Sequence, residues 1–235
     1  MSIFRVIALL TLAAALPVSA TTIFANNPGA LPGTAQNTVG LFPTELVGTL
    51  PDTTDPFAGV NMFQIQIFDP SMFSASVIGE PFGIADTVLS LFDSTGHGVM
   101  LNDDQGGGNI NTLALSCLPS AVGNPCPSSL PAGVGPTIPG IYYLAISLAS
   151  NYPTSTSGEM FSPSSTTDVV GPDLTMGGND PITGWDGGAF TFAIPDDDNY
   201  DILLGGTIPE PATWMMTGAA CLGLLLRRRI LSKPL

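Results

Sequence analysis

Positive charge in this chain is confined to its two ends. The five basic residues are Arg5, Arg227–Arg229 and Lys233, so no lysine or arginine occurs from Val6 to Leu226, a stretch that holds all 19 acidic residues. A body without these cations must fold without internal Lys or Arg ion pairs, and its carboxylates must be solvated, hydrogen-bonded or bound to metal ions. The distribution also excludes nucleic acid as a partner, because phosphate binding requires lysine or arginine.

The first 20 residues have the layout of a secretory signal peptide. Arg5 supplies a positive n-region, Val6–Leu16 is an apolar helical run, and Pro17 precedes the small-residue site Val18-Ser19-Ala20. Cleavage after Ala20 would make Thr21 the new N-terminus. The alternative is a buried N-terminal helix, but the arginine, the short apolar run and the terminal alanine favour a signal helix. The sequence therefore predicts export from the cytoplasm.

Residues 208–235 combine three elements in a fixed order. The triplet Pro209, Glu210 and Pro211 precedes the apolar segment Ala212–Leu226, which is followed by the cluster Arg227, Arg228 and Arg229. As a helix this segment is about 22 Å long, shorter than a bilayer core of about 30 Å, so it spans only with help from snorkelling side chains. By the positive-inside rule the arginines stay in the cytoplasm. An ordinary tail anchor is the alternative to a sorting signal.

This tail resembles the PEP-CTERM sorting signal of Gram-negative bacteria. The resemblance implies recognition by an exosortase, a membrane cysteine protease-transpeptidase, with processing near the Pro-Glu-Pro triplet. It also implies an organism that makes exopolysaccharide. We therefore expect transit through the inner membrane, with the C-terminal helix as a transient anchor, and a final location in the cell envelope, on the outer surface or in the extracellular matrix.

The body between the two signals, residues 21–207, has the pattern of an all-β domain. Glycine and proline are abundant, with 27 and 22 residues respectively, which favours short strands and many turns. Apolar and polar residues alternate with period two in several windows, the pattern of half-buried strands in an antiparallel β-sandwich. These windows are 63–67, 73–77, 88–92, 99–101, 113–115, 142–146, 190–194 and 200–204. The stretches 118–139 and 150–165 are predicted to be long loops.

Part of the body, about residues 52–147, resembles the bacterial pre-peptidase C-terminal (PPC) domain. That family shows D-x-x-L-x-L-[FY]-D-x-x-G, then N-D-D, then P-G-x-Y-Y-L. The matching residues are Asp86, Leu89, Leu91, Phe92, Asp93, Gly96, Asn102–Asp104 and Pro139–Leu144. The resemblance implies a non-catalytic, jelly-roll-like sandwich, some of whose relatives bind calcium or matrix polymers.

Calcium is the cofactor that the acidic residues favour, because it prefers six to eight oxygen ligands from carboxylates, carbonyls and amides. The candidate ligands are Asp86, Asp93, Asn102, Asp103 and Asp104. A second acidic cluster occupies residues 196–201. Adjacent carboxylates repel, and a divalent ion would remove that cost. Solvated loops are the alternative for both clusters.

Three further residue types are candidates for special roles. Cys117 and Cys126 bracket a proline-rich loop and can form a disulfide in an exported protein, or stay as free thiols. Trp185 is a possible glycan contact by ring stacking, or a core or loop-anchoring residue. His97, the only histidine, lies in a glycine-rich turn, where an exposed and inert role is expected.

No nucleophile with a partnering base is recognisable, and the ligand set for zinc is missing from the sequence. We therefore predict a non-catalytic envelope or matrix protein associated with exopolysaccharide or biofilm. A carbohydrate-binding module is the first alternative. A polysaccharide-acting hydrolase that uses a pair of aspartates is the second.

Overall fold

The strands of this protein follow the alternating windows of the sequence. The computed structural model describes residues 20–50, 57, 59–78, 86–104, 115–123, 126–148, 150–187 and 199–209. Its strands are β1 (Thr21–Phe24), β2 (Gln36–Asn37), β3 (Pro43–Thr49), β4 (Val60–Ile67), β5 (Ser74–Ile78), β6 (Thr87–Asp93), β7 (Gly98–Asn102), β8 (Cys117–Leu118), β9 (Gly140–Leu148), β10 (Pro153–Ser155), β11 (Gly158–Glu159), β12 (Val169–Val170), β13 (Ile182–Trp185) and β14 (Asn199–Gly205).

The described residues form an all-β fold with short 3-10 turns at Pro32–Thr34, Pro70–Met72 and Gly177–Asn179 and no α-helix. None of the helical turns in this part of the chain is long or apolar enough to cross a membrane. The predicted signal helix, except Ala20, and the predicted transmembrane helix Ala212–Leu226 lie outside the described residues. Ala20–Ile208 constitute one compact unit.

The described strands of this unit form three sheets. The first has the order β1-β3-β14-β5-β8, the second β12-β7-β6-β9-β4-β2, and the third β11-β10-β13. Most neighbouring strands are antiparallel, as predicted, but β1 pairs with β3 and β2 with β4 in parallel. The sheets are therefore of mixed orientation. Both parallel pairs involve short N-terminal strands at a sheet edge, which the sequence windows did not include.

The first two sheets pack face to face around the main core, in a sandwich-like arrangement. Leu46, Val77 and Ile202 from the first sheet meet Phe63, Leu91 and Leu144 from the second, and all six are fully buried. The observed core therefore agrees with the apolar positions of the alternating windows, for a simple reason. Period-two alternation gives each strand one apolar face, and the two apolar faces are buried against each other.

The opposite face of the second sheet is also buried, which corrects the prediction of half-buried strands for its central members. Val88 and Phe92 of β6 pack with Phe161 and Trp185 in a second cluster. This second layer includes β13 and the loop around Ala30. Segment 150–165, predicted to be a loop, contributes β10 and β11 to the covering sheet. The windows 113–115 and 190–194 lie mostly or entirely outside the described residues.

A carboxylate cluster as candidate metal centre

Three of the five predicted calcium ligands lie together. One carboxylate oxygen each from Asp86, Asp103 and Asp104 lies within 4.8 Å of the other two. Asp86 directly precedes β6, and Asp103 and Asp104 directly follow β7. Strands β6 and β7 form an antiparallel hairpin in which Leu89 faces Asn102. The start of one strand therefore meets the end of the other, and this register brings the three carboxyl groups together.

Asp93 lies at the other end of the same hairpin, so its prediction as a ligand of this cluster is wrong. It lies seven positions after Asp86 along extended chain, a span of about 23 Å. Its Oδ1 accepts hydrogen bonds from the backbone N–H and the hydroxyl of Thr95 and from the backbone N–H of His97. Burial acts to raise the pKa of Asp93, but these hydrogen bonds outweigh it and lower the pKa. Asp93 therefore closes the turn.

Asn102 is adjacent to the cluster, but its side-chain amide forms hydrogen bonds with backbone groups. Its Oδ1 accepts the backbone N–H of Cys117 at 2.8 Å, and its Nδ2 donates to the carbonyl oxygens of Asp104 at 2.9 Å and Asp168 at 3.2 Å. The residue is fully buried. Asn102 therefore positions the segment that carries Asp103 and Asp104, and its amide oxygen is occupied by another donor.

Two residues that the sequence did not single out contact the cluster. The hydroxyl of Tyr152 donates to Asp103 Oδ2 at 2.5 Å. The carbonyl oxygen of Thr166 accepts the backbone N–H of Asp104 at 2.7 Å, and the Thr166 side chain hydrogen-bonds the Asp104 carboxyl. Both come from segments far along the chain, without a local motif that could have identified them.

The electrostatics of the cluster disfavour three separate negative charges. Burial raises the pKa of Asp86 to about 7, and the neighbouring carboxylates of Asp104 and Asp103 add to the rise. Burial also raises the pKa of Asp103 to about 6, despite the opposing hydrogen bond from Tyr152. The pKa of Asp104 is likewise raised by burial. Without a cation, Asp86 therefore remains partly protonated near neutral pH.

The donor set fits a hard divalent cation. Carboxylate oxygens are the ligands that calcium prefers, and such an ion would offset both the burial and the mutual repulsion of the charges. Asp86 Oδ1 is buried and has no hydrogen-bond partner among the described residues, as expected of an atom that a cation would contact. Asp86, Asp103 and Asp104 are the residues that would hold the ion.

The remaining candidate residues have structural positions. Cys117 and Cys126 form a disulfide with a Cα–Cα distance of 5.9 Å. Trp185 is only 6% exposed, its Nε1–H donates to the carbonyl oxygen of Ala30 at 2.9 Å, and its ring meets Phe92 edge-on. The indole is therefore an anchor inside the second cluster, and the structure contradicts its use as a sugar-stacking surface. Within the second acidic cluster, residues 196–198 lie outside the described part of the chain.

Few of the predicted processing residues are described. Ala20 and Thr21 are present, and Thr21 is the first residue of β1. Pro209 is the last described residue, whereas Glu210, Pro211, Arg227, Arg228 and Arg229 lie outside the described residues. Both processing predictions therefore concern positions at the limits of the described unit.

Comparison with known proteins does not assign this chain to a family. No family model matches the sequence. A search of curated proteins also finds no match. The two resemblances drawn from the sequence therefore remain predictions, and the function rests on charge, motif and geometry.

Proposed function

We propose that this chain is an exported, non-catalytic component of the cell envelope or extracellular matrix, sorted by an exosortase and associated with exopolysaccharide. The observation that carries the proposal is the confinement of lysine and arginine to two terminal segments, one of which follows the Pro209-Glu210-Pro211 triplet. The resemblance of that tail to a PEP-CTERM signal implies transit through the inner membrane and processing by an exosortase. The anionic body is suited to a hydrated extracellular setting.

The boundaries of the folded unit support this proposal. Strand β1 begins at Thr21, so cleavage after Ala20 would remove no strand residue. At the other end β14 finishes at Gly205, and the hydroxyl of Thr207 donates to the carbonyl oxygen of Pro43 at 2.6 Å. Among the described residues, the last side chain with a hydrogen bond to the sandwich is therefore Thr207, just before the triplet. Cutting at either predicted position would spare the sandwich.

Calcium binding at the carboxylate cluster is the second part of the proposal. Its support is the convergence of Asp86, Asp103 and Asp104, together with the raised pKa values of all three. The ion would have a structural role, linking the open end of the β6–β7 hairpin. The finer description of the fold as a jelly-roll-like, PPC-type sandwich belongs to the same proposal.

Mass spectrometry of the termini of the native protein tests the sorting proposal. We expect Thr21 as the first residue and loss of the arginine cluster. The variant Glu210→Ala should keep its tail and accumulate in the inner membrane. Glu159→Ala, which removes an exposed acid in β11, is the matched control and should be processed normally. Recovery of the full chain from the cytosol, with Met1 and Leu235 present, would contradict the proposal.

A polysaccharide hydrolase is the second candidate, because a carboxyl with a raised pKa beside a carboxylate is the arrangement of an acid-base pair. Reducing-sugar release from purified polysaccharides distinguishes the two functions. Turnover that is lost in both Asp86→Asn and Asp103→Asn, with the fold retained, would establish the hydrolase. Calcium binding without turnover would establish the structural role.

A further inference from the structure

A groove lies at the end of the sandwich where β4 begins, and Asp86, Asp103 and Asp104 are not among its lining residues. It is formed by the end of β1 and the following loop, the end of β3, the start of β4, and Phe57 and Asn199. Its volume is about 880 Å³. This is within the range of roughly 300–1,000 Å³ that is common for small-molecule sites.

Two aromatic rings line this groove. Phe24 is 71% exposed and Phe57 is 44% exposed, although both are large apolar side chains. Phe24 is held in place through its backbone, because its carbonyl oxygen accepts from Gln36 Nε2 at 3.0 Å and it lies opposite Val47 in the β1–β3 pair. An exposed ring on a backbone held in this way offers a flat surface for the apolar face of a ligand.

Amide and hydroxyl groups supply the polar part of the lining. Asn199 Oδ1 accepts from the hydroxyl of Thr49 at 2.8 Å, which leaves the Asn199 amide N–H groups as donors for a ligand. Asn61 is held by hydrogen bonds from its Nδ2 to the carbonyl oxygen of Thr49 and to the hydroxyl of Tyr200. Exposed Asn27 contributes a further amide. The hydrogen bonds of Asn61 and Asn199 hold these two side chains in place, which lowers the entropy lost when a ligand binds.

Charge is missing from the lining as far as the structure describes it: no Asp or Glu is among the residues that form the groove. Such a site selects ligands by ring stacking and neutral hydrogen bonds. A pyranose has one apolar face and a rim of hydroxyl groups, and both features have counterparts here. A purely apolar ligand would leave the amides unpaired, and an ionic ligand would lack a counter-charge.

We infer that this groove binds a neutral oligosaccharide segment, with a sugar ring on Phe24 and its hydroxyl groups paired with Asn199. The inference rests on the proposed association with exopolysaccharide and names the surface and the class of glycan. It also replaces Trp185, whose ring is buried, as the glycan contact. The groove is built by residues from β1, β3 and β14, so the mature body suffices to form it.

Calorimetric titration of the mature body, residues 21–207, with cellohexaose, mannohexaose and dextran tests this inference, since these residues hold nearly all of the compact unit. At least one neutral probe should bind, and Phe24→Ala should weaken that binding about tenfold, the loss typical of a central aromatic contact. Phe24→Tyr should restore it. Leu174→Ala, which truncates a residue that is 62% exposed and outside the groove, is the matched control.

A second pair of variants tests the proposed hydrogen bond from Asn199 to the ligand. Asn199→Asp keeps the oxygen that accepts from Thr49 but removes the amide donor and adds charge, so it should weaken binding. Asn37→Asp keeps the oxygen that accepts from the backbone N–H of Val39 and lies outside the groove, so it should bind like the wild type. Thermal melts confirm that each variant is folded.

Three results would overturn the inference. They are the absence of binding to every neutral probe, binding that Phe24→Ala leaves unchanged, and preferential binding of alginate oligomers. A mixture of extended hexapeptides is titrated in parallel, and if only peptides bind, the groove is a peptide site instead. Terminal processing is measured separately, so a correctly sorted protein with an inactive groove refutes this inference alone.

Discussion

Replacing Asp86 with asparagine should make the calcium-free protein more stable at alkaline pH. In the folded chain the pKa of Asp86 is raised from 3.8 to about 7 by burial and by its neighbours Asp104 and Asp103. Between pH 4 and pH 7 the folded chain therefore holds a proton that the unfolded chain has released. Stability from this group is present at acid pH and is lost as pH rises.

For a fully buried group, a pKa rise of this size would change the free energy of unfolding by roughly 4 kcal/mol between low and high pH. Asp86 is only half-buried, so solvent screening reduces the contribution to about 2 kcal/mol. Only about three-fifths of this contribution is lost between pH 5 and pH 8, because the rest is lost between pH 3.8 and pH 5, so for a domain of this size we expect a fall in Tm of roughly 2–5 °C over that window. Asp86→Asn should remove this part of the fall. Asp103 and Asp201 titrate in the same direction and remain in the variant, so the difference between the two proteins isolates Asp86.

The assay is urea unfolding at pH 5 and pH 8 in the presence of chelator, repeated with millimolar calcium. Calcium at 100 times its dissociation constant should restore about 2.7 kcal/mol to the wild type at pH 8, and less to Asp86→Asn. Asp93→Asn is the control, because the lowered pKa of Asp93 acts only below about pH 4. The reasoning is refuted if the chelated wild type is as stable at pH 8 as at pH 5, or if both proteins show the same pH dependence.

Two further predictions concern the sandwich itself. Gly48→Ala should lower the free energy of unfolding, measured with urea, by about 1–3 kcal/mol, because a Cβ there would lie 2.3 Å from the Tyr200 hydroxyl. Gly140→Ala is the control and should lower it much less, because a Cβ at that position meets open space. Equal losses in the two variants would exclude this steric explanation. Replacing both Cys117 and Cys126 by alanine should lower the free energy of unfolding by about 2–3 kcal/mol, because the unfolded chain without the disulfide has a larger conformational entropy. Identical urea unfolding curves for the oxidised wild type and the double variant would contradict this prediction.

The candidate metal centre contains residues whose proximity the sequence predicts and others that the structure places apart. Asp86, Asp103 and Asp104 could be grouped from the sequence, because a hairpin joins the start of its first strand to the end of its second. The same geometry places Asp93 at the turn, about 23 Å away along β6, which is too far for it to bind the same ion. Asn102 was adjacent in sequence, but its amide supports the backbone of a neighbouring segment.

The sequence by itself determined the properties that depend on neighbouring residues. Period-two alternation identified β4, β5, β6, β9 and β14, and the distribution of basic residues defined two terminal segments and an anionic body. Both patterns are local, because a strand's apolar face and a segment's charge depend only on the order of nearby residues.

The tertiary structure alone decided which distant segments meet. It buried both faces of the central sheet, and it brought the Tyr152 hydroxyl to Asp103 across 49 residues of chain. It also placed Phe24 and Asn199 in one groove while burying Trp185. Such pairings depend on the packing of whole sheets, and one sequence pattern is compatible with several strand orders, so they could not be predicted from local alternation.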